Sequence, residues 1–294
     1  MSSSSTTGLS ALLVLLDRDS PLRKNPAQRR KLPNWEKTGP PAAHPPRKLP
    51  RFETADGCHL PLLQLPQRVC CPVYSRSEAE CNELLEAADN FRQHPLIGLD
   101  IEWKVTYEAG VTSRPAATLQ LSTDCEAYVF HLSAMPSGTL PANLVAILED
   151  PRVLKCGNKI GNDCLKLRRD FGVRARGLID LGKLACHALP YGLRAWNLAD
   201  LVAEVAKAKL PKELRMSDWE ATRLSSEQLQ YAAADAYASR VVCATLLWRL
   251  QKASDERGQH RSAKVDAELL QRVPPNLIED TPVDPMAPKP AALA

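Results

Sequence analysis

The sequence predicts an α/β fold, a mixed sheet flanked by helices in a single domain, and three observations carry that expectation. Apolar runs at residues 96–103, 118–121 and 127–132 follow one another closely and have strand character, with a turn around 122–126. Beyond residue 140, helical and strand patterns alternate, the signature of helices packed on a sheet. Both ends of the chain lack either period. The 294 residues therefore accommodate one domain of about 180 residues, large enough for a proper core.

The elements follow in order. Residues 1 to about 70 open with a Ser/Thr run, and eleven of the chain's 24 prolines have passed by Pro72. Such a composition buries too little apolar surface to offset chain entropy, so residues 1–70 are expected to be a disordered basic arm. The folded domain is expected over 73–255, beginning near Val73-Tyr74. Ser77 and Glu80 have capping-box spacing and predict a helix running to about Phe91, which His94-Pro95 ends. The three strands then form an antiparallel meander. A short helix at 144–148 leads to a strand at 153–156 and a helix starting near Asn162-Asp163. Leu178-Ile179 forms a short strand ending at Asp180, a cap for a helix over 181–189. Another helix covers 197–206, with Leu198, Leu201, Val202 and Val205 at helical spacing. Residues 209–219 read as irregular. Ser225 and Gln228 repeat the capping-box spacing and launch the longest helix, to about Leu250. The stretch 256–294 is polar, then proline-rich, and is expected to be a disordered tail.

Charge is unevenly divided. Residues 1–75 hold eleven Lys/Arg against five Asp/Glu, an excess of six, so a net charge of +4 leaves −2 on the rest. A nucleic-acid site on the folded part must therefore rest on local patches or on metal ions. Within the arm, Arg23-Lys24 and Arg29-Arg30-Lys31 form two basic clusters. They fit a bipartite nuclear-import signal or a nucleic-acid tether as well as a merely solvated arm; a mitochondrial leader is disfavoured by Asp17 and Asp19. The nucleus is the expected location, with mitochondrion and cytoplasm as alternatives. The nine cysteines are scattered and never in a C-x-x-C pair, which predicts free thiols rather than a zinc site or disulfide framework. The apolar run at 11–16 is too short to span a bilayer, so no membrane association is expected.

The chemistry concentrates in Leu96-Ile97-Gly98-Leu99-Asp100-Ile101-Glu102-Trp103. On a strand, the period of two places Asp100 and Glu102 on one face and Leu99 and Ile101 on the other. Adjacent carboxylates repel unless a cation neutralises them, which suggests a divalent metal, although Asp-x-Glu alone also fits a solvent-facing strand. Asp163 sits in the first turn of a helix, where the dipole stabilises an acid whatever its purpose. Tyr231 and Asp235, four apart on the long helix, share a face and are separated by three alanines that permit close approach of another element.

In order and spacing, Asp100-x-Glu102, Asp163 and Tyr231-x-x-x-Asp235 resemble the three motifs of the DEDD 3′–5′ exonucleases. Tyrosine four before the last aspartate marks the tyrosine subclass, DEDDy; the histidine subclass has its histidine five before, where this chain has Gln230. The sequence is most similar to the Werner-syndrome-type exonuclease domain, with ribonuclease D a more distant likeness. Supporting stretches are Ala117-Thr118-Leu119-Gln120-Leu121, the segment 157–163, residues 193–201 with Trp196 and Leu198, Met216-Ser217-Asp218-Trp219, and 229–237, so the likeness covers about 73–250.

The resemblance implies a ribonuclease H-like fold and hydrolysis of phosphodiesters from 3′ ends by two divalent ions, Mg²⁺ or Mn²⁺, about 3.5–4 Å apart. Asp100 would bridge both ions, Glu102 and Asp235 would complete one position, and Asp163 would hold the second directly or through water. Tyr231 would orient the attacking water. The substrate is expected to be a single-stranded or recessed 3′ end, DNA in the first reading and structured or small RNA in the second; a non-catalytic binding module is the third. Lys209, Lys212 and Arg215 fit either phosphate contacts or a solvated loop. Trp103, Trp196 and Trp219 are expected to pack in the core, and no histidine is assigned to catalysis.

Overall fold

The computed structural model describes residues 60–87, 91, 95–105, 113–255 and 278–282. A short helix α1 (Gln67–Cys70) and strand β1 (Val73–Ser75) precede helix α2 (Glu78–Ala87). Strands β2 (Leu96–Glu102), β3 (Thr118–Ser122) and β4 (Ala127–Phe130) form the expected antiparallel meander. Helix α3 (Ala142–Glu149), strand β5 (Leu154–Gly157), helix α4 (Ile160–Phe171) and strand β6 (Leu178–Asp180) come next. Helices α5 (Leu181–Ala188), α6 (Leu198–Ala206) and α7 (Ser226–Asp255) follow, and strand β7 (Ile278–Glu279) is last. The seven strands lie in the order β1-β4-β3-β2-β5-β6-β7. Pairing is parallel at β1/β4, β2/β5 and β5/β6 and antiparallel elsewhere, so the sheet is mixed.

Alternation along β2 divides the core. Ile97, Leu99 and Ile101 enter one apolar layer with Cys81 and Leu85 of α2, Leu144 and Leu148 of α3, and Ile160, Cys164 and Leu167 of α4. Leu96, on the other parity, joins α5, α6 and the second half of α7. A third cluster, with Trp219, Val129 and Ala232, continues that second face towards α1. The sheet is thus sandwiched between two helical layers. Helix α7 can lie flat against β2 because its facing residues are Ala232, Ala233, Ala236 and Ala238, all buried, and because β2 offers Gly98 beneath them. A Cβ on Gly98 would stand 1.8 Å from the Ala236 carbonyl oxygen.

The caps show which local signals operate. Ser225 and Gln228 make the full reciprocal box: Gln228 N donates to Ser225 Oγ and Ser225 N to Gln228 Oε1, at 3.3 and 2.9 Å. At α2 only half the box forms. Glu80 N donates to Ser77 Oγ at 3.5 Å, while the Glu80 carboxylate accepts from Ser75 Oγ at 2.9 Å. Asp180 caps α5 by accepting from Lys183 N, and Asn197 caps α6 by accepting from Asp200 N. Helix α4 begins two residues earlier than its sequence pattern suggested, at a left-handed Lys159 with φ 60° and no side-chain cap.

Two stretches expected to lack structure are partly built into the domain. Within 1–70, Leu62 bridges Lys209 and α1 packs Val69 into the core. Within 256–294, residues 278–279 pair with β6. Residues 1–59, which hold the basic clusters, 256–277 and 283–294 lie outside the described residues, as do positions 88–90 at the expected end of α2. The eight described cysteines are free, and no described helix is long and apolar enough to cross a membrane.

A charged residue sits wholly inside. Lys155 on β5 has 0% exposure, and its Nζ donates to the carbonyls of Ile147 and Asp150 at 3.1 and 2.9 Å. Those carbonyls end α3, where the last turn leaves acceptors without intrahelical donors and the dipole favours a cation. Burial nevertheless pulls the amine down from 10.5 to about 8.

Candidate active site

Strand β2 delivers Asp100 and Glu102 onto the face covered by α7, and α7 delivers Asp235 to meet them. One carboxylate oxygen from each of the three lies within 4.8 Å of the other two. The close packing of Ala236 on Gly98 sets that distance, since Gly98 precedes Asp100 by one strand period and Ala236 adjoins Asp235. Asp163, on the first turn of α4, is outside this tight group, yet its charge and that of Asp100 act on one another. Tyr231 lies one turn before Asp235, close enough that its phenol and the Asp235 carboxylate act on one another. The five residues singled out in the sequence therefore converge on one place.

The cluster is electrostatically uncomfortable. Burial, more than any other cause, pushes all four carboxyls above the usual carboxylate range. Mutual repulsion adds to it: Asp100 acts on Glu102, Asp163 and Asp235. Burial also raises the Tyr231 phenol, followed by the charges of Asp235 and Glu102. Tyr231 is thereby a neutral hydrogen-bond donor at physiological pH rather than a base.

Cations surround this negative centre. Arg215 acts on Asp100, Glu102 and Asp235, Lys212 on Asp235, and Lys159 on Asp163, in each case favouring the carboxylate. Arg215 and Lys212 are exposed, and among the described residues Arg215 is within salt-bridge distance of no carboxylate. Their irregular loop is anchored at two points. Fully buried Trp219 donates from Nε1 to the Arg215 carbonyl at 3.4 Å and packs its ring 6.0 Å from that of Tyr231. Gln228, in the first turn of α7, donates to Ser217 Oγ and the Asp218 carbonyl at 2.5 and 3.0 Å. Two ion pairs, Lys104–Asp218 at 3.3 Å and Arg114–Glu220 at 2.7 Å, tie the β2–β3 connection to the same loop.

Trp196 and Trp219 are buried as expected. Trp103 packs, half-buried, against the layer opposite the acids, with Lys166 Nζ 5.1 Å from its ring centre. His131 is buried against the Tyr74 hydroxyl at 2.7 Å, a structural role. Sequence reasoning passed over Gln120, which stands directly opposite Asp100 on β3, is wholly buried and donates to Thr118 Oγ1 at 2.6 Å. The available signal was a long amide placed at the position in register with Asp100 on an otherwise apolar strand.

Residues 73–251 match the model of a family described as 3′-5′ exonuclease. The chain belongs to the 3′–5′ exonuclease domain family. This exonuclease domain is 35% identical over 180 residues to a 3′-5′ exonuclease of Arabidopsis thaliana, covering 57% of this chain and 60% of that protein. It is 32% identical over 187 residues to the bifunctional 3′-5′ exonuclease/ATP-dependent helicase WRN of Mus musculus, covering 63% of this chain but 13% of that protein. The chain thus spans less than two thirds of these relatives' length. Among solved structures, the exonuclease domain matches the Aedes aegypti Nibbler EXO domain with a TM-score of 0.55 and 23% identity, covering 65% of this chain and 93% of that one. It matches Escherichia coli RNase D with a TM-score of 0.51 and 24% identity, covering 62% and 46%. At that identity the two structures speak for the fold alone, which is ribonuclease H-like.

Proposed function

We propose that this chain is a metal-dependent exonuclease that removes nucleotides from the 3′ ends of DNA. The observation that carries the reading is the three-carboxylate group of Asp100, Glu102 and Asp235, with the Tyr231 phenol beside its last member. Half-buried acids that repel one another, with only oxygen donors between them, fit a hard divalent cation and would be relieved by one. Asp100, Glu102 and Asp235 would hold one Mg²⁺ or Mn²⁺, and Asp163 would serve the second. When bound, such a pair supplies an activated water and neutralises charge on the phosphate undergoing in-line displacement. We therefore assign the chain to the tyrosine subclass, DEDDy.

The chain's own residues then have distinct tasks. Tyr231, held neutral by its surroundings, donates a hydrogen bond and orients the nucleophile. Arg215 and Lys212 place positive charge where substrate phosphates approach, and the anchoring of their loop by Trp219 and Gln228 keeps that charge in place. DNA is the first substrate in this reading, and the basic clusters of the arm support a nuclear location. RNA remains the second arm of the test, since RNase D, a neighbour in fold, is an exoribonuclease involved in structured RNA processing.

The test uses single-stranded DNA, recessed duplex DNA and RNA, each labelled at the 5′ end, with Mg²⁺ or Mn²⁺ and with Asp100→Ala alongside. A ladder shortening from the 3′ end of DNA, absent in the variant, is expected. Shortening of RNA alone would transfer the activity to RNA, and no shortening of any substrate would leave only a binding module.

A further inference from the structure

The five residues Ile278–Pro282 lie beyond the span 73–251 matched by the family, yet they are bound into the domain at every position. Ile278 pairs with Ile179 and packs against the α5–α7 core, and Glu279 pairs with Leu178 and accepts from Lys183 Nζ at 2.5 Å. Asp280 accepts from Gly177 N at 3.2 Å and faces Arg176 at 3.5 Å. Thr281 donates twice to the Ala175 carbonyl, from N at 2.8 Å and from Oγ1 at 2.7 Å.

Pro282 is where the segment reaches the site. Its carbonyl accepts from Arg168 Nη1 at 3.0 Å, and its ring lies 3.4 Å from where a Cβ on Gly161 would stand. Gly161 and Arg168 are seven apart on α4, so they share a face two turns long, and Asp163 lies between them in sequence. The start of α4 has no side-chain cap of its own. Pro282 thus bears on the first turn of the helix that carries Asp163, while residues 278–281 fix Pro282 to the sheet.

Resting on the reading of Asp163 given above, we propose that Ile278–Pro282 is a positioning clamp for Asp163, built from outside the span that matches the family. The segment touches no reacting atom. It acts by holding the first turn of α4 against β6 so that Asp163 faces Asp100.

The test compares the full chain with the Thr281→Val/Pro282→Gly double variant, with Lys183→Ala as a control that loosens only the Glu279 end. Mn²⁺ binding is measured by titration calorimetry, with Asp163→Asn as reference, and kcat and KM are measured on DNA. The double variant is expected to keep its circular dichroism spectrum and its KM, to lose about tenfold in kcat, and to weaken one Mn²⁺ binding step about tenfold, as outer-sphere supports of metal ligands do. Lys183→Ala is expected to match the parent. A double variant with the parent's kcat and Mn²⁺ isotherm overturns the clamp, as does a rise in KM with kcat unchanged. If the double variant does not fold, Arg168→Gln, which removes only the bond to the Pro282 carbonyl, decides by the same two readouts at about threefold. A parent chain that binds Mn²⁺ but hydrolyses nothing would refute the proposed function, while the Mn²⁺ isotherms would still decide the clamp.

Discussion

Gly98→Ala is the substitution that most directly tests how the site is assembled. The added Cβ would lie 1.8 Å from the Ala236 carbonyl oxygen, 2.8 Å from its carbon and 3.2 Å from Arg240 N. A comfortable C···O approach is about 3.3 Å or more, so strand and helix would have to part by about 1.5 Å. Every nearby atom is backbone, and no rotamer change can relieve the clash. Overpacking of a core usually costs about 1–3 kcal/mol, and this contact falls at the upper end because a whole helix must move. The same movement lifts Asp235 away from Asp100 and Glu102, so activity should fall by more than the stability loss explains. Urea unfolding followed by tryptophan fluorescence gives the first quantity, and single-turnover cleavage at a temperature where both proteins are folded gives the second. An expected result is a loss of about 3 kcal/mol with at least a hundredfold slower cleavage. A variant with parental stability and rate would refute the claim that the β2–α7 contact sets the carboxylate spacing.

Asp100→Asn should abolish turnover while stabilising the metal-free protein by about 1 kcal/mol, seen as a higher melting temperature, because one member of a self-repelling, half-buried cluster is gone; a lower melting temperature would contradict the repulsion. Tyr231→Phe should slow cleavage about a hundredfold with little change in KM, whereas an unchanged rate would make the tyrosine structural. Arg215→Gln should raise KM and reduce the dependence of log affinity on log salt by about one, and an unchanged salt slope would remove Arg215 from the phosphate path. Lys155 gives a pH test of stability. Its folded amine is depressed from 10.5 to about 8, so between those values the unfolded chain binds the extra proton and stability rises with pH. Relative to Lys155→Met, the parent should gain up to about 3 kcal/mol across that window, read by urea unfolding at pH 7.5 and 10. No gain would mean that the two carbonyls hold the ammonium without penalty.

Much of the site was legible because its residues obey local rules. Asp100 and Glu102 show by alternation alone that they share a face, and Tyr231 and Asp235 show the same by helical spacing. What joins the two pairs is a contact between Gly98 and Ala236, distant in sequence and apolar, which no periodicity reports. Capping signals were read well where side chain and backbone reciprocate, as at Ser225, and less well at α4, whose start is set by a left-handed lysine. Lys155 could not be read from composition, since its burial depends on where α3 happens to end. The strand at 278–279 was missed for a related reason. Two residues carry no period, and proline-rich flanks argue for disorder, while the hydrogen bonds that order the segment come from turns a hundred residues away. Trp219 and Gln228 illustrate the middle case: core and cap were both legible, but not that they jointly anchor the Arg215 loop.

The sheet's two borders have a consequence of another kind. β1 offers three residues of pairing and β7 two, with Asp280 and Pro282 following directly. A strand from a second molecule needs a longer row of open backbone groups than either border provides, and short, charged or proline-flanked edges are the usual protection against such addition. The C-terminal segment covers β6, whose own three residues would make an equally short border. Loss of that segment, by proteolysis or truncation, should therefore cost stability while leaving the folded protein monomeric.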